Sequence, residues 1–233
     1  YLSEFEHDNC GAGFICSLNG KKTNTIISQA LNILTCLEHR GAVSSDGRTG
    51  DGAGILIDIP HEFFVKQCEF KLPNSNEYAV GMVFLPNKVN QSNHCVKIFE
   101  EQIRKQDLEI IGWRNVPVNS KVVGSIAGKT QPQIKQVFIK PNSSDLSDKD
   151  FNLRLFIARK ISENLIYSSE LNQKEYFYFS SLSLRTIIYK GLLIPEDIER
   201  FYIDLKNPNL VTKLALVHQR FSTNTFPTWD LAQ

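Results

Sequence analysis

Apolar residues at Ile26, Ile27, Ala30, Leu31, Leu34 and Leu37 recur at the three- and four-residue spacing of a single helix face. They predict a helix from Thr25 to about Arg40, with Asn24 as N-cap and Gly41 as the residue that ends it. The same period through Val96, Phe99, Ile103 and Leu108 predicts a helix over 94–108. Leu153, Phe156, Ile157, Ile161 and Leu165 mark the apolar face of another over 150–167. Pro195 opens a short one over 196–202. Between these lie apolar runs of strand length, 53–59 closed by Pro60, and 78–85. Segments 10–18, 109–118, 136–140, 176–184 and 213–221 also read as extended, the first turning at Asn19-Gly20. The polar stretch 143–150 offers the best internal boundary. Strands mixed with about four helices define an α+β or layered α/β domain.

Composition narrows the class without naming it. The chain has 233 residues, 42% hydrophobic and 22% charged, with a net charge of +1. That suffices for a sizeable core in one domain or at most two. A near-neutral balance gives no electrostatic footprint for nucleic acid or an acidic membrane surface. Five cysteines, without a C-x-x-C pair, argue against a disulfide framework or a structural zinc site and fit a reducing compartment. No apolar run has the length of a membrane span. Residues 1–9 are acidic and lack an apolar centre, so they resemble neither a signal nor a transit peptide. Both ends have the look of a fragment of something longer.

The chemistry concentrates in two places. Cys10-Gly11-Ala12-Gly13-Phe14-Ile15 sets a thiol near the start of the chain. If the nine preceding residues are removed, the α-amine sits on the same residue as the sulfur. Its ordinary pKa of about 7.7–8.0 suits proton transfer near neutrality. Such a nucleophile carries its own base, whereas an isolated cysteine is more often a small buried hydrophobe. The second place is His218-Gln219-Arg220-Phe221-Ser222-Thr223-Asn224-Thr225. Here a guanidinium followed by hydroxyl and amide side chains is suited to gripping a carboxylate; a surface arginine beside a polar turn is the plainer alternative. His39 and His218 read as structural, because an N-terminal cysteine needs no imidazole. Gly124 to Thr130 is one residue short of a phosphate-binding loop, so nucleotide binding is rejected there. Gly50-Asp51-Gly52-Ala53-Gly54 precedes a strand and fails the dinucleotide context. Its glycines are expected to let a loop approach another backbone.

Three blocks taken together carry a family resemblance. They are Cys10 to Ile15; Leu37-Glu38-His39-Arg40-Gly41-Ala42 leading to Thr49-Gly50-Asp51-Gly52-Ala53-Gly54-Ile55; and Val217 to Pro227. In order and spacing they resemble the amino-terminal glutaminase domain of the glutamate synthase large chain, a class II glutamine amidotransferase. The resemblance spans the chain. It implies an α+β fold of the N-terminal-nucleophile hydrolase type, two stacked antiparallel sheets flanked by helices (αββα). It also implies a propeptide, 1–9, cleaved to leave an amidotransferase domain over 10–233. Cys10 is then the nucleophile that attacks the glutamine carboxamide. Arg220 binds the substrate carboxylate beside Thr223 and Asn224, and Arg40 and Gly41 support the nucleophile and the pocket wall.

The family's Asn-Gly oxyanion motif and the Asp that holds the substrate amino group do not occur before Gln233. Losing one oxyanion donor typically costs about 10²–10³ in rate, so this stretch by itself is expected to be nearly inactive. The resemblance further implies ammonia channelled to a synthase part that aminates 2-oxoglutarate. FMN and a 3Fe-4S cluster lie there, outside this chain. Ferredoxin or an NAD(P)H-linked subunit supplies electrons, in the cytoplasm or the plastid stroma. No metal, nucleic acid or membrane is expected as a partner here. The competing readings are another class II amidotransferase and a non-catalytic assembly domain of the same fold.

Overall fold

The computed structural model describes residues 11–143, 145–220 and 226–232; the leader 1–9, Cys10, Thr223 and Asn224 lie outside the described residues. In chain order the elements begin β1 (Gly11–Cys16), α1 (Asn24–Cys36), β2 (Ala53–Asp58), α2 (His61–Gln67), β3 (Ala79–Leu85), α3 (Val89–Lys105) and β4 (Leu108–Asn115). They continue with α4 (Ser125–Gly128), β5 (Gln133–Pro141), α5 (Asp148–Tyr167), β6 (Tyr178–Ser183), β7 (Thr186–Gly191), α6 (Pro195–Phe201) and β8 (Leu214–Gln219). The fold class is α+β with two antiparallel sheets, as the sequence leads one to expect.

Two compact units divide the chain. The first comprises the described residues up to Ile57, Pro117–Gln131, and those from Tyr189 onward. Its sheet has the order β1-β8-β2-β7, so the late strand β8 lies between two early ones. Both β1 and β2 pair with it antiparallel. Helix α1 packs on β1 and β8 through Ile26, Ile27, Ala30, Leu31 and Leu34. These are five of the six positions picked out by the periodicity.

The second unit, Asp58–Val116 with Pro132–Ile188, is inserted in the chain between β2 and the end of β7. Its elements run β3-α3-β4-β5-α5-β6, and its sheet has the order β4-β5-β3-β6, all neighbours antiparallel. This is the split β-α-β-β-α-β arrangement. Helices α3 and α5 pack against each other, and their inner residues Phe99, Ile103, Phe151, Leu155 and Ala158 share one core with Val83, Val137 and Phe179. On the other side of β5, Phe64 meets Phe138 edge-on and the Arg114 guanidinium lies 5.6 Å from the centre of the Phe63 ring.

Several expectations need correction. Helix α1 stops at Cys36, and Glu38–Arg40 form a separate 3-10 turn. Gly41 has φ −114°, extended rather than left-handed, so it is not a helix-ending glycine. Thr23 occupies the N-cap position, because the Asn24 amide is taken by tertiary carbonyls, donating to Asn207 O at 3.2 Å and Leu210 O at 2.9 Å. Helix α3 starts a turn early and ends at Lys105; Asp107 (φ 55°) reverses the chain and Leu108 opens β4. The expected face of α5 is the wrong one: Leu153 and Phe156 are 55% and 57% exposed, whereas Phe151, Leu155, Ala158 and Ile166 are buried. The boundary placed at 143–150 falls inside the second unit. Periodicity missed α2, α4 and β7.

Candidate active site

The site is built around the end of β8. Gln219 stands directly opposite Gly11 on one side and Ala53 on the other. One residue on, the Arg220 N–H donates to Gly52 O at 2.9 Å. The two strongest candidate segments thus meet: Gly11 follows Cys10 in the chain, and Arg220 leaves the strand facing it. Arg220 itself is half-buried.

The 3-10 turn brings Arg40 and Gly41 to the same place. A Cβ added at Gly11 would lie 3.2 Å from Arg40 Cβ and 3.2 Å from Leu37 Cβ, so the stem of Arg40 packs on the first residue of β1. Gly41 is glycine for close approach: a Cβ there would lie 1.9 Å from Gln219 Nε2. His39 turns back on its own helix, its Nδ1 2.9 Å from Cys36 O. His218 sits between two small residues, Ala12 and Gly54, and its buried Nδ1 makes no hydrogen bond among the described residues.

The glycine-rich loop forms a wall. Asp51 N donates to Ala42 O at 3.2 Å, and Ser44 N to Thr49 O at 2.8 Å, folding residues 42–51 into a hairpin-like lobe. A Cβ at Gly50 would come within 2.5 Å of Leu193 O. The expectation that these glycines admit another backbone is met at this position.

Asp46 ties the lobe down. Its carboxylate accepts from Ile126 N at 3.0 Å, Thr49 N at 2.8 Å, Thr49 Oγ1 at 2.7 Å and Arg48 N at 3.1 Å. The Ile126 amide first, then that of Thr49, hold its pKa far below the usual carboxylate range. The amide at the start of α4 is thereby occupied by a protein carboxylate, in keeping with the rejection of a phosphate loop at 124–130.

The structure therefore brings together Gly11, Arg40, Gly41 and Arg220, with the loop 50–54 beside them. Sequence reasoning missed Gln219 and Asp46. Gln219 was hidden inside a strand pattern; Asp46, in a Ser-Asp-Gly turn, carried only the generic signal of a loop. Among the described residues no group of three or more His, Cys, Asp or Glu lies together as a metal ion would need. Cys16 and Cys36 are exposed, and Cys95 is buried.

The segment after Cys10 thus opens β1, and the half-buried Arg220 directly follows the strand paired with it. Residues 10–233 match the family of class-II glutamine amidotransferases, and the chain belongs to it. The NADPH glutamate synthase large chain of Bacillus subtilis is 47% identical over 234 residues, covering 100% of this chain and 15% of that protein. The corresponding large chain of Azospirillum brasilense is 42% identical over 237 residues, again 100% and 15%. Ferredoxin-dependent glutamate synthase 2 of Synechocystis is 41% identical over 231 residues, 98% and 14%. The chain thus spans about 15% of the length of these relatives. No helix among the described residues is long and apolar enough to cross a membrane.

Proposed function

We propose that this domain is the glutaminase part of a glutamate synthase, hydrolysing L-glutamine to glutamate and ammonia at Cys10. The observation that carries the reading is that the family match begins at Cys10 itself, in a chain where Gly11, Arg40, Gly41 and Arg220 converge. The leader 1–9 is a propeptide, and its removal frees the amine on the residue that bears the sulfur.

The chemistry follows from those groups. The Cys10 thiol gives its proton to the α-amine, and the sulfur attacks the side-chain carbonyl carbon of glutamine. The tetrahedral intermediate collapses as that amine returns the proton to the departing nitrogen, leaving a thioester and ammonia. Water, deprotonated by the same amine, then adds to the thioester; glutamate leaves and the thiol is restored. Arg220 grips the α-carboxylate through two parallel N–H···O bonds, a geometry that an ammonium cannot reproduce. Thr223 and Asn224 add bonds beside it. Arg40, packed on Gly11, orders the backbone at the nucleophile and favours the thiolate by its charge. Gly41 and the 50–54 loop shape the wall.

In the whole protein, ammonia is channelled to a synthase part that aminates 2-oxoglutarate. FMN and a 3Fe-4S cluster reside there, with ferredoxin or an NAD(P)H-linked subunit as electron source, in the cytoplasm or the plastid stroma. The names of two relatives, an NADPH and a ferredoxin-dependent glutamate synthase, support the synthase assignment and the two electron sources.

Mass spectrometry of the mature full-length protein, combined with an ammonia-release assay, tests the reading. We expect a chain beginning at Cys10 and loss of ammonia release in Cys10→Ala. A protein that keeps residues 1–9 and still hydrolyses glutamine overturns it.

A further inference from the structure

Helix α5 is apolar on two sides. Its inner side, with Phe151, Leu155, Ala158 and Ile166, is buried in the core of the second unit. Its outer side carries Leu153, Ile157, Ile161 and Leu165 at successive four-residue steps, with Phe156 beside them. Residues four apart are neighbours on a helix surface, so these form one continuous row. Leu153, Phe156, Ile161 and Leu165 are 55%, 57%, 37% and 46% exposed. A helix that borders water ordinarily sets charged and polar side chains there. Helix α3, packed against α5 in the same unit, does so with His94, Lys97 and Arg104, all exposed. On α5 the row is flanked by Lys160 and Asn164 alone, and Lys160 is turned to Glu163 at 2.8 Å.

The size of the row says what can cover it. Its side chains expose on the order of 400 Å² of apolar surface, about half of the ~800 Å² per partner that a free-standing dimer buries. A second copy is therefore poorly served. Two parts of one polypeptide need less, because the tether between them supplies an effective concentration of about millimolar. The relatives possess such a further part, since the matched stretch is 15% of the length of each of two large chains. We propose, on the reading that this domain belongs to a polypeptide of that kind, that the outer row of α5 is the docking surface for the synthase part of the same chain. That part lays an apolar face along Leu153, Phe156, Ile161 and Leu165. The helix then buries one side in its own core and the other against its neighbour in the chain, as a helix apolar on both sides requires.

Photo-cross-linking in the full-length protein tests it. The benzophenone amino acid p-benzoylphenylalanine is placed at Phe156 in one variant and at Leu165 in a second. Both positions are exposed, so the inner core is left intact. A third variant carries the probe at the exposed Lys97 of α3 as a reference. After irradiation, a denaturing gel gives the size of the product and peptide mapping gives the joined residues. Probes at 156 and 165 are expected to link to peptides beyond Gln233, in a product that still runs as a single chain, at several times the yield from position 97. A product of twice the mass joining two copies overturns the proposal. So does a link to another polypeptide, a yield no higher than that from position 97, or no link at all. Ammonia release measured on the same wild-type preparation separates the two readings. Links formed in a protein that releases none sink the glutaminase reading alone; an active protein without links sinks the docking surface alone.

Discussion

A carboxylate oxygen of Asp46 accepts the backbone N–H of Ile126 at 3.0 Å, although the two residues stand 80 positions apart in the chain. The bond pins the lobe 42–51 to the start of α4. The other end of the lobe runs into Gly52, whose carbonyl receives the Arg220 N–H. The placement of the proposed carboxylate clamp thus depends on a fastening that touches no substrate.

Removing that fastening should loosen the clamp more than the fold. The pKa of Asp46 is depressed in the folded protein, so its contribution is complete above the ordinary aspartate value of about 3.9 and is lost only as pH falls through the folded value. At neutral pH Asp46→Ala therefore removes the whole of it. We expect KM for glutamine to rise about three- to tenfold and Tm to fall by roughly a few degrees, as for a lost helix cap. Asp46→Asn, which keeps one acceptor oxygen, should lie between. Steady-state kinetics and a thermal melt of the full-length protein decide it; an unchanged KM in Asp46→Ala removes the lobe from the site.

Arg220→Lys isolates the guanidinium, because the bond to Gly52 O is made by the main chain and survives the substitution. A single ammonium loses the two-pronged grip on a carboxylate. KM is expected to rise about tenfold or more with a smaller change in kcat, the pattern of lost ground-state binding. Unaltered KM would take Arg220 out of substrate recognition.

The five cysteines provide an internal control on the nucleophile. Burial pushes the Cys95 thiol up to about 12, so it is not a thiolate at neutral pH. Cys16 and Cys36 are exposed and Cys68 is partly buried, and none of the three is among the residues assigned to glutamine. A diazo-oxo analogue of glutamine should label Cys10 alone in the mature full-length protein, at one equivalent, and excess glutamine should protect it. Peptide mapping reads the position; modification of Cys16 or Cys36 at a comparable rate would contradict the assignment.

How far the sequence could be read depends on how local each signal is. Helix α1 was legible because its apolar positions form one stripe. Helix α5 has apolar residues on both faces, Leu153 and Phe156 outside and Phe151 and Leu155 inside, so a period of 3.6 could not choose between them. The split β-α-β-β-α-β unit was not legible, since its sheet order arises from pairings such as β3 with β5 and β6 that no local pattern encodes. Within the site, the arginine and glycine blocks stood out by residue type. Local pattern suggests a helix-ending role for Gly41, because its true reason, the Gln219 side chain lying upon it, comes from a strand far along the chain.

Glu163 offers a pH test of the second unit. Its side chain, 7% exposed on the buried side of α5, accepts from Arg159 Nε at 2.7 Å and from Lys160 Nζ at 2.8 Å. Burial by itself pushes its pKa up; the bonds from Lys160 and Arg159 more than offset that, and the net shift is downward. A depressed carboxylate stabilises the fold fully above its unfolded value of about 4.3, and this contribution fades as pH falls through the folded value. Glu163→Gln should therefore cost about 1–3 kcal/mol at pH 7, the scale of hydrogen bonds to a charged group. The gap to wild type should hold constant down to about pH 5 and narrow below pH 4. Urea-dependent hydrogen exchange of peptides from α5 in the full-length protein, read by mass spectrometry, measures the gap. A gap that stays constant from pH 7 down to pH 3 would show that the charge of Glu163 contributes nothing and that only its shape matters.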